Sequence, residues 1–262
     1  MKKMKKFAKL ASLALAIALI CALLTGCGDG VSLKDVQKKG KITIATSPDF
    51  PPFESLSGGE IVGIEVDIVK LIAEKLGVEP VFEQMDFDSV LPGVQTGKFD
   101  VGMSGITVTE KRQKNADFTE PYFLAAQSIV VLSDSDITCK ADLEGKTVSV
   151  QTGTTAESCC TENGYTVMAY QANNDACTAL TSGKVDAWVV DNEVAVALSA
   201  EQNGATKVLD EAMTTEPYAF AFAKGSDSLV EAFNKELNAM IEDGTVQGIF
   251  DSYGVPYVSP KQ

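Results

Sequence analysis

The chain has 262 residues, 45% of them hydrophobic, and a formal net charge of -14 with no histidine. That length and apolar share suffice for one large core or two small ones. The missing histidine excludes Ser-His and Cys-His nucleophile pairs and the commonest metal ligand, so an enzyme here would work with carboxylates, lysines or tyrosines alone.

Residues 1–26 begin M-K-K-M-K-K-F-A-K and continue through a fifteen-residue apolar run to Thr25-Gly26. A basic start and a run shorter than the about 20 residues of a spanning helix predict an export signal. Leu24-Thr25-Gly26-Cys27 resembles the lipobox of bacterial lipoproteins, which implies cleavage before Cys27, lipidation of that cysteine and a stable membrane anchor. Cleavage removes five lysines and no acids, taking the charge to -19. So acidic a chain is a poor nucleic-acid binder. Residues 27–40 are predicted as the lipidated N-terminus and a short tether.

Strands and helices then alternate. Lys41–Thr46 is predicted as a strand, and Glu65–Leu76 as a helix with Val66, Val69, Ala73 and Leu76 on one face and Gly77 as its stop. A strand at Pro80–Met85, a helix at Asp88–Thr96 and a strand at Phe99–Met103 follow. The pattern recurs with strands at Thr147–Gln151, Thr166–Tyr170 and Val185–Asp191, and helices at Thr155–Glu162, Asn174–Thr181 and Glu193–Asn203. Such alternation implies parallel sheets covered by helices. Both halves carry one phrase, Q-T-G-K-F-D-V at 95–101 and T-S-G-K-V-D-A at 181–187, read as helix end, glycine cap and strand.

A second repeat, T-E-P-Y, occurs at 119–122 and 215–218 inside two extended stretches. These predict two connections between two lobes: residues 41–121 and 219–262 in lobe 1, 127–213 in lobe 2, and hinges at 122–126 and 214–218. A helix over Asp227–Asp243, with Val230, Phe233, Leu237 and Met240 on one face, returns to lobe 1. Two lobes on two connections form a cleft, a favoured place for a small ligand. Cys139, Cys159, Cys160 and Cys177 all fall in lobe 2 and lack zinc-site spacing; buried thiols and one bridge both suit them. No pattern calls for a cofactor or a metal.

F-P-P-F-E at 50–54, G-I-E-V-D-I at 63–68, M-D-F at 85–87, S-G-I-T-V-T-E-K-R at 104–112, Q-T-G-T-T at 151–155, V-V-D-N at 189–192 and D-G-T-V-Q-G-I-F at 243–250 resemble, in order and spacing, the extracytoplasmic amino-acid-binding proteins of ABC importers, family 3 of the extracellular solute-binding proteins. The resemblance implies an α/β, two-lobed periplasmic-binding-protein-like fold of type II. It also implies a free amino acid as ligand, and an importer permease with its cytoplasmic ATPase as partner.

Within S-G-I-T-V-T-E-K-R, Gly105 permits close approach, Ser104 and Thr107 offer hydroxyls, and Thr109 suits an N-cap with Arg112 in the first turn. A guanidinium there forks onto an α-carboxylate, although an exposed arginine on a capped helix has the same pattern. The resemblance assigns the ligand's ammonium to Asp191, which also suits an N-cap for the next helix, and the lobe 2 carboxylate contact to Thr155. It places Phe50 and Phe87 about the ligand's side chain, with Gln151 lining that pocket. Ser47 stands where some binders of basic amino acids carry an aspartate, so a polar neutral ligand such as glutamine is expected first and a basic one next. Two other functions suit the fold: a dehydratase of cyclohexadienyl acids, for which Glu54 is the candidate acid, and a sensor ectodomain.

Overall fold

A computed structural model describes residues 30–260. The expected signal peptide (1–26) and the lipidation site Cys27 lie outside the described residues. The elements, in order, are α1 (Leu33–Lys39), β1 (Lys41–Thr46), β2 (Asp49–Phe50), β3 (Glu54–Ser57), β4 (Glu60–Val62), α2 (Ile64–Leu76), β5 (Glu79–Gln84), α3 (Phe87–Gln95), β6 (Val101–Gly102), α4 (Glu110–Gln113) and β7 (Ala116–Phe118). Then come β8 (Phe123–Ala125), β9 (Gln127–Leu132), β10 (Thr147–Gln151), α5 (Thr155–Glu162), β11 (Thr166–Tyr170), α6 (Asn173–Thr181), β12 (Ala187–Asp191), α7 (Asn192–Ala200) and β13 (Thr206–Val208). The chain closes with β14 (Glu216–Tyr218), β15 (Ala221–Ala223), α8 (Asp227–Glu242) and α9 (Thr245–Ser252).

Two five-stranded sheets form the two lobes, in the orders β5-β1-β6-β15-β7 and β11-β10-β12-β9-β13. In each, three strands are parallel and the fourth runs against them. That antiparallel strand is the one that has just crossed from the other lobe: β15 entering the first, β9 entering the second. The crossings pass through a two-stranded ribbon, β8 paired with β14, in register Phe123 with Tyr218 and Ala125 with Glu216. The second T-E-P-Y supplies β14 itself, while the first ends at Tyr122, immediately before β8.

The shared T-G-K-F-D-V and S-G-K-V-D-A phrases build one device twice. Gly97 and Gly183 both sit at φ +71°, a left-handed turn ending the preceding helix. Each aspartate then accepts a backbone N–H of the neighbouring parallel strand, Asp100 from Thr43 of β1 at 2.9 Å and Asp186 from Thr147 of β10 at 2.8 Å. The carboxylates thus cap an N–H at the sheet's end, and regular pairing of β6 and β12 starts later than the apolar alternation predicts.

Helix α1 falls within the 27–40 segment expected as lipidated N-terminus and tether. Ser32 and Asp35 form a capping box, Gly40 ends the helix at φ +70°, and Val36 is fully buried. This amphipathic turn packs into lobe 1, so the folded body starts earlier than residue 41. The small β2-β3-β4 sheet and helix α9 also went unpredicted as elements, because runs this short carry little periodicity. One apolar cluster runs from Ile44 and Phe53 through Tyr122, Phe123 and Tyr218 to Val190 and Trp188, linking both sheets through the ribbon.

Candidate functional site

The segment S-G-I-T-V-T-E-K-R leaves the end of β6 and enters α4. Thr109 caps that turn, its hydroxyl accepting the N–H of Arg112 at 3.2 Å. Helix α4 is only four residues long, so its dipole adds little, and the charge at this place is the guanidinium's. Arg112 Nη1 donates to the Thr107 carbonyl at 2.9 Å, and Nη2 donates across the lobes to the Gly153 carbonyl at 3.2 Å. The guanidinium carbon lies 5.5 Å from the centre of the Phe87 ring, within cation–π range. Arg112 is therefore held over the gap between the lobes.

Opposite it, Asp191 ends β12. Although it occupies the N-cap position of α7, its side chain makes no cap bond. Oδ2 accepts from Gln127 Nε2 at 3.2 Å, and the same nitrogen reaches the Thr155 hydroxyl at 3.2 Å. Oδ1 is buried and meets no well-aligned donor, although the Tyr218 hydroxyl lies close enough to interact with the carboxylate. Burial pushes the Asp191 carboxyl up to about 7; the Tyr218 hydroxyl opposes the rise, and the neighbouring Glu216 and Glu193 carboxylates add to it. A buried carboxylate oxygen without a well-aligned donor is costly unless something cationic or hydrogen-bonding meets it.

A cavity of about 510 Å³ opens beside Arg112, lined by Thr109, Arg112 and Asn115 from one lobe and by Gly153 and Thr155 from the other, with Glu216 of the ribbon; Asp191 lies behind this lining and reaches Thr155 through Gln127. Glu216 is buried; Oε1 accepts from the Thr214 hydroxyl at 2.6 Å and Oε2 has no partner. Sequence reasoning missed Glu216 and Gln127. The repeated T-E-P-Y was the available signal for the first; an extended apolar strand gives none for the second.

Other expected contacts sit differently. The Ser104 hydroxyl donates to Glu54 Oε1 at 2.9 Å and accepts the Ser47 N–H at 3.1 Å, so it supports the loop from beneath. The Gly105 N–H goes to Glu65 Oε2 at 2.9 Å. Gly105 is required by its φ of +53° and by Phe50, whose Cε1 would lie 2.4 Å from an added Cβ; the close approach is to an aromatic ring. Phe50 itself is buried in the core cluster, 5.6 Å from the Phe53 ring and 6.3 Å from Tyr218, rather than standing at the rim.

Gln151 has its amide fully engaged, with Nε2 on Asp49 and the Gln171 carbonyl and Oε1 on Asn173. Glu54, the candidate acid for an enzyme, is fully buried behind Ser104. Desolvation, reinforced by the Glu65 carboxylate, drives its pKa well above the usual range. The Tyr122 hydroxyl donates to Glu65, completing a support under the loop. Cys139, Cys159, Cys160 and Cys177 are free thiols, the last two buried.

The sequence matches a known family. The model of the bacterial extracellular solute-binding proteins, family 3, matches residues 42–256. The chain belongs to that family.

Among relatives, this family 3 protein is 34% identical over 241 residues to the arginine-binding extracellular protein ArtP of Bacillus subtilis, covering 90% of this chain and 94% of that one. It is 31% identical over 217 residues to a probable histidine-binding protein of Campylobacter jejuni, covering 81% and 84%. Among solved structures, an ancestral arginine-binding protein bound to glutamine superimposes with a TM-score of 0.78 at 41% identity, over 82% of this chain and 97% of that one. The arginine-bound form of that ancestral protein gives 0.77. The two-lobed, type II fold is thereby shown. Among the described residues, no helix is long and apolar enough to cross a membrane.

Proposed function

We propose that this family 3 protein captures a free L-amino acid between its lobes, outside the cytoplasm, and delivers it to the permease of an ABC importer. The observation that carries the reading is Arg112, a guanidinium strapped across the interlobe gap, with the buried Asp191 carboxylate close enough to act on it electrostatically. In this reading Arg112 takes the α-carboxylate with help from Thr155 and Thr107, and Asp191 takes the ammonium. Phe87 backs the guanidinium, while Phe50, Ser104 and Gly105 form the wall that keeps the loop in place. The β8–β14 ribbon acts as the hinge, and contacts from both lobes favour the closed form.

Ser47, standing where some binders of basic amino acids carry an aspartate, favours a polar neutral side chain such as glutamine, with a basic one next. The ancestral relative's capture of either glutamine or arginine is consistent with that pair. Burial of Glu54 supports binding over turnover, since a catalytic acid must reach the ligand. A thermal-shift screen against the twenty amino acids tests this: a ligand that binds only the folded state raises the melting point. We expect a rise with glutamine or arginine and no product after incubation. No shift with any amino acid overturns the reading, and chemical conversion of the ligand replaces it by the enzyme.

The lipobox-like Leu24–Cys27 supports anchoring of the mature chain at Cys27. Cys27→Ser is expected to release the protein from the membrane fraction into the soluble one. Retention with the lipid fraction contradicts the anchor.

A further inference from the structure

We infer that Asp49 is a positioning residue that holds the lobes closed by capping, from lobe 1, a helix of lobe 2. The inference rests on the binding reading above for its effect on affinity, and on geometry alone for the contact.

Helix α6 begins at Asn173, and its N-cap position is Ala172, which has no side-chain oxygen to offer the first-turn N–H groups. The missing acceptor arrives from the other lobe. Asp49 Oδ2 accepts the Asn173 N–H at 2.7 Å. The same carboxylate accepts from Gln151 Nε2 at 3.1 and 3.4 Å, and from the Ser47 hydroxyl of its own lobe at 2.9 Å.

The amide of Gln151 is oriented for this purpose. Its Oε1 accepts from Asn173 Nδ2 at 3.0 Å and its second donor reaches the Gln171 carbonyl at 3.0 Å, so the nitrogen faces Asp49. Asp49 is thus a charged acceptor met by two donors that move away on opening. Charge-assisted bonds of this kind are the stronger ones. Separation leaves α6 without any side-chain cap and returns Asp49 to water. Because three protein donors already meet Asp49, its influence acts through closure and applies equally to all ligands.

Two variants test the inference. Asp49→Ala removes the trans cap. Ala172→Asp supplies α6 with a cap in cis and sets a second carboxylate against Asp49, in a residue whose backbone is already extended as a cap requires. Small-angle scattering of the ligand-free protein is expected to show a larger radius of gyration for both variants. Calorimetry is expected to show glutamine and arginine weakened by the same factor, about tenfold for a tenfold fall in the closed fraction. An unchanged radius in both variants overturns the inference. A loss confined to arginine also overturns it, because Asp49 would then be a ligand contact. If neither amino acid binds the unaltered protein, the functional reading fails while the scattering comparison still decides the contact.

Discussion

Arg112→Ala is expected to weaken amino-acid binding by at least about 10²-fold, the order seen when one partner of a desolvated charge pair is removed. The guanidinium is held between two carbonyls, Thr107 on its own lobe and Gly153 on the other, with the Phe87 ring beside it. Two of its N–H groups are spent on those carbonyls, and the remainder are available to a carboxylate. Alanine removes both the charge and the donors. The fold should survive: the Thr109 cap uses the backbone N–H of Arg112, which alanine keeps, and the Gly153 carbonyl borders an open cavity where water can replace the lost donor. Lysine is expected not to rescue, since a point charge cannot span a carbonyl and a carboxylate as the planar fork does. Calorimetry with the ligand found by thermal shift, beside circular dichroism of the variant, checks the result. Affinity within twofold of the unaltered protein would remove the carboxylate assignment.

Asp191→Asn is expected to have opposite effects on binding and stability. Burial lifts this carboxyl to about 7, so between an ordinary unfolded value and that point the folded chain holds more protons than the unfolded one. Raising the pH through this window therefore removes stability. An amide never ionises and avoids the cost, so the variant should be more stable at neutral pH, by on the order of 2 kcal/mol, read as a higher melting temperature. Binding should collapse, because a neutral amide cannot pair with an ammonium.

In the unaltered protein the same carboxyl must lose its proton to receive that ammonium. Affinity should be flat above about pH 7 and fall by up to tenfold for each pH unit below it. Ligand titrations by calorimetry across this range test the slope. A pH-independent affinity, or a variant that melts lower while binding normally, removes Asp191 from the ammonium site.

Much of this molecule could be read locally. Lys41–Thr46, Thr147–Gln151, Thr155–Glu162 and Thr166–Tyr170 are elements with the predicted bounds, since period and composition suffice where an element is regular. The Thr109 cap was legible because Thr-x-x-Arg places the hydroxyl within reach of one specific N–H. The Asp191 side chain, by contrast, fits a cap by spacing and does not make one; its preference for Gln127 comes from β9, a strand 64 residues away in sequence. Glu65 looks like a surface charge in the first turn of α2, yet it is fully buried and serves the Gly105 N–H and the Tyr122 hydroxyl. Phe50 was legible as an aromatic near the ligand loop, but its partner Gly105 was not.

From its residues alone, this chain determined a repeated α/β unit, two crossings marked by T-E-P-Y, a guanidinium at a capped turn and the exclusion of histidine chemistry. These depend on contacts within a few residues, where backbone geometry limits the choices. Only the tertiary structure decided that Asp49 caps a helix of the other lobe, that Glu54 is sealed from the gap, and that Asp191 turns to Gln127 instead of capping its own helix. Each of those outcomes depends on burial and on partners far along the chain, and the free energy of a charged group is set by what surrounds it rather than by its neighbours in sequence.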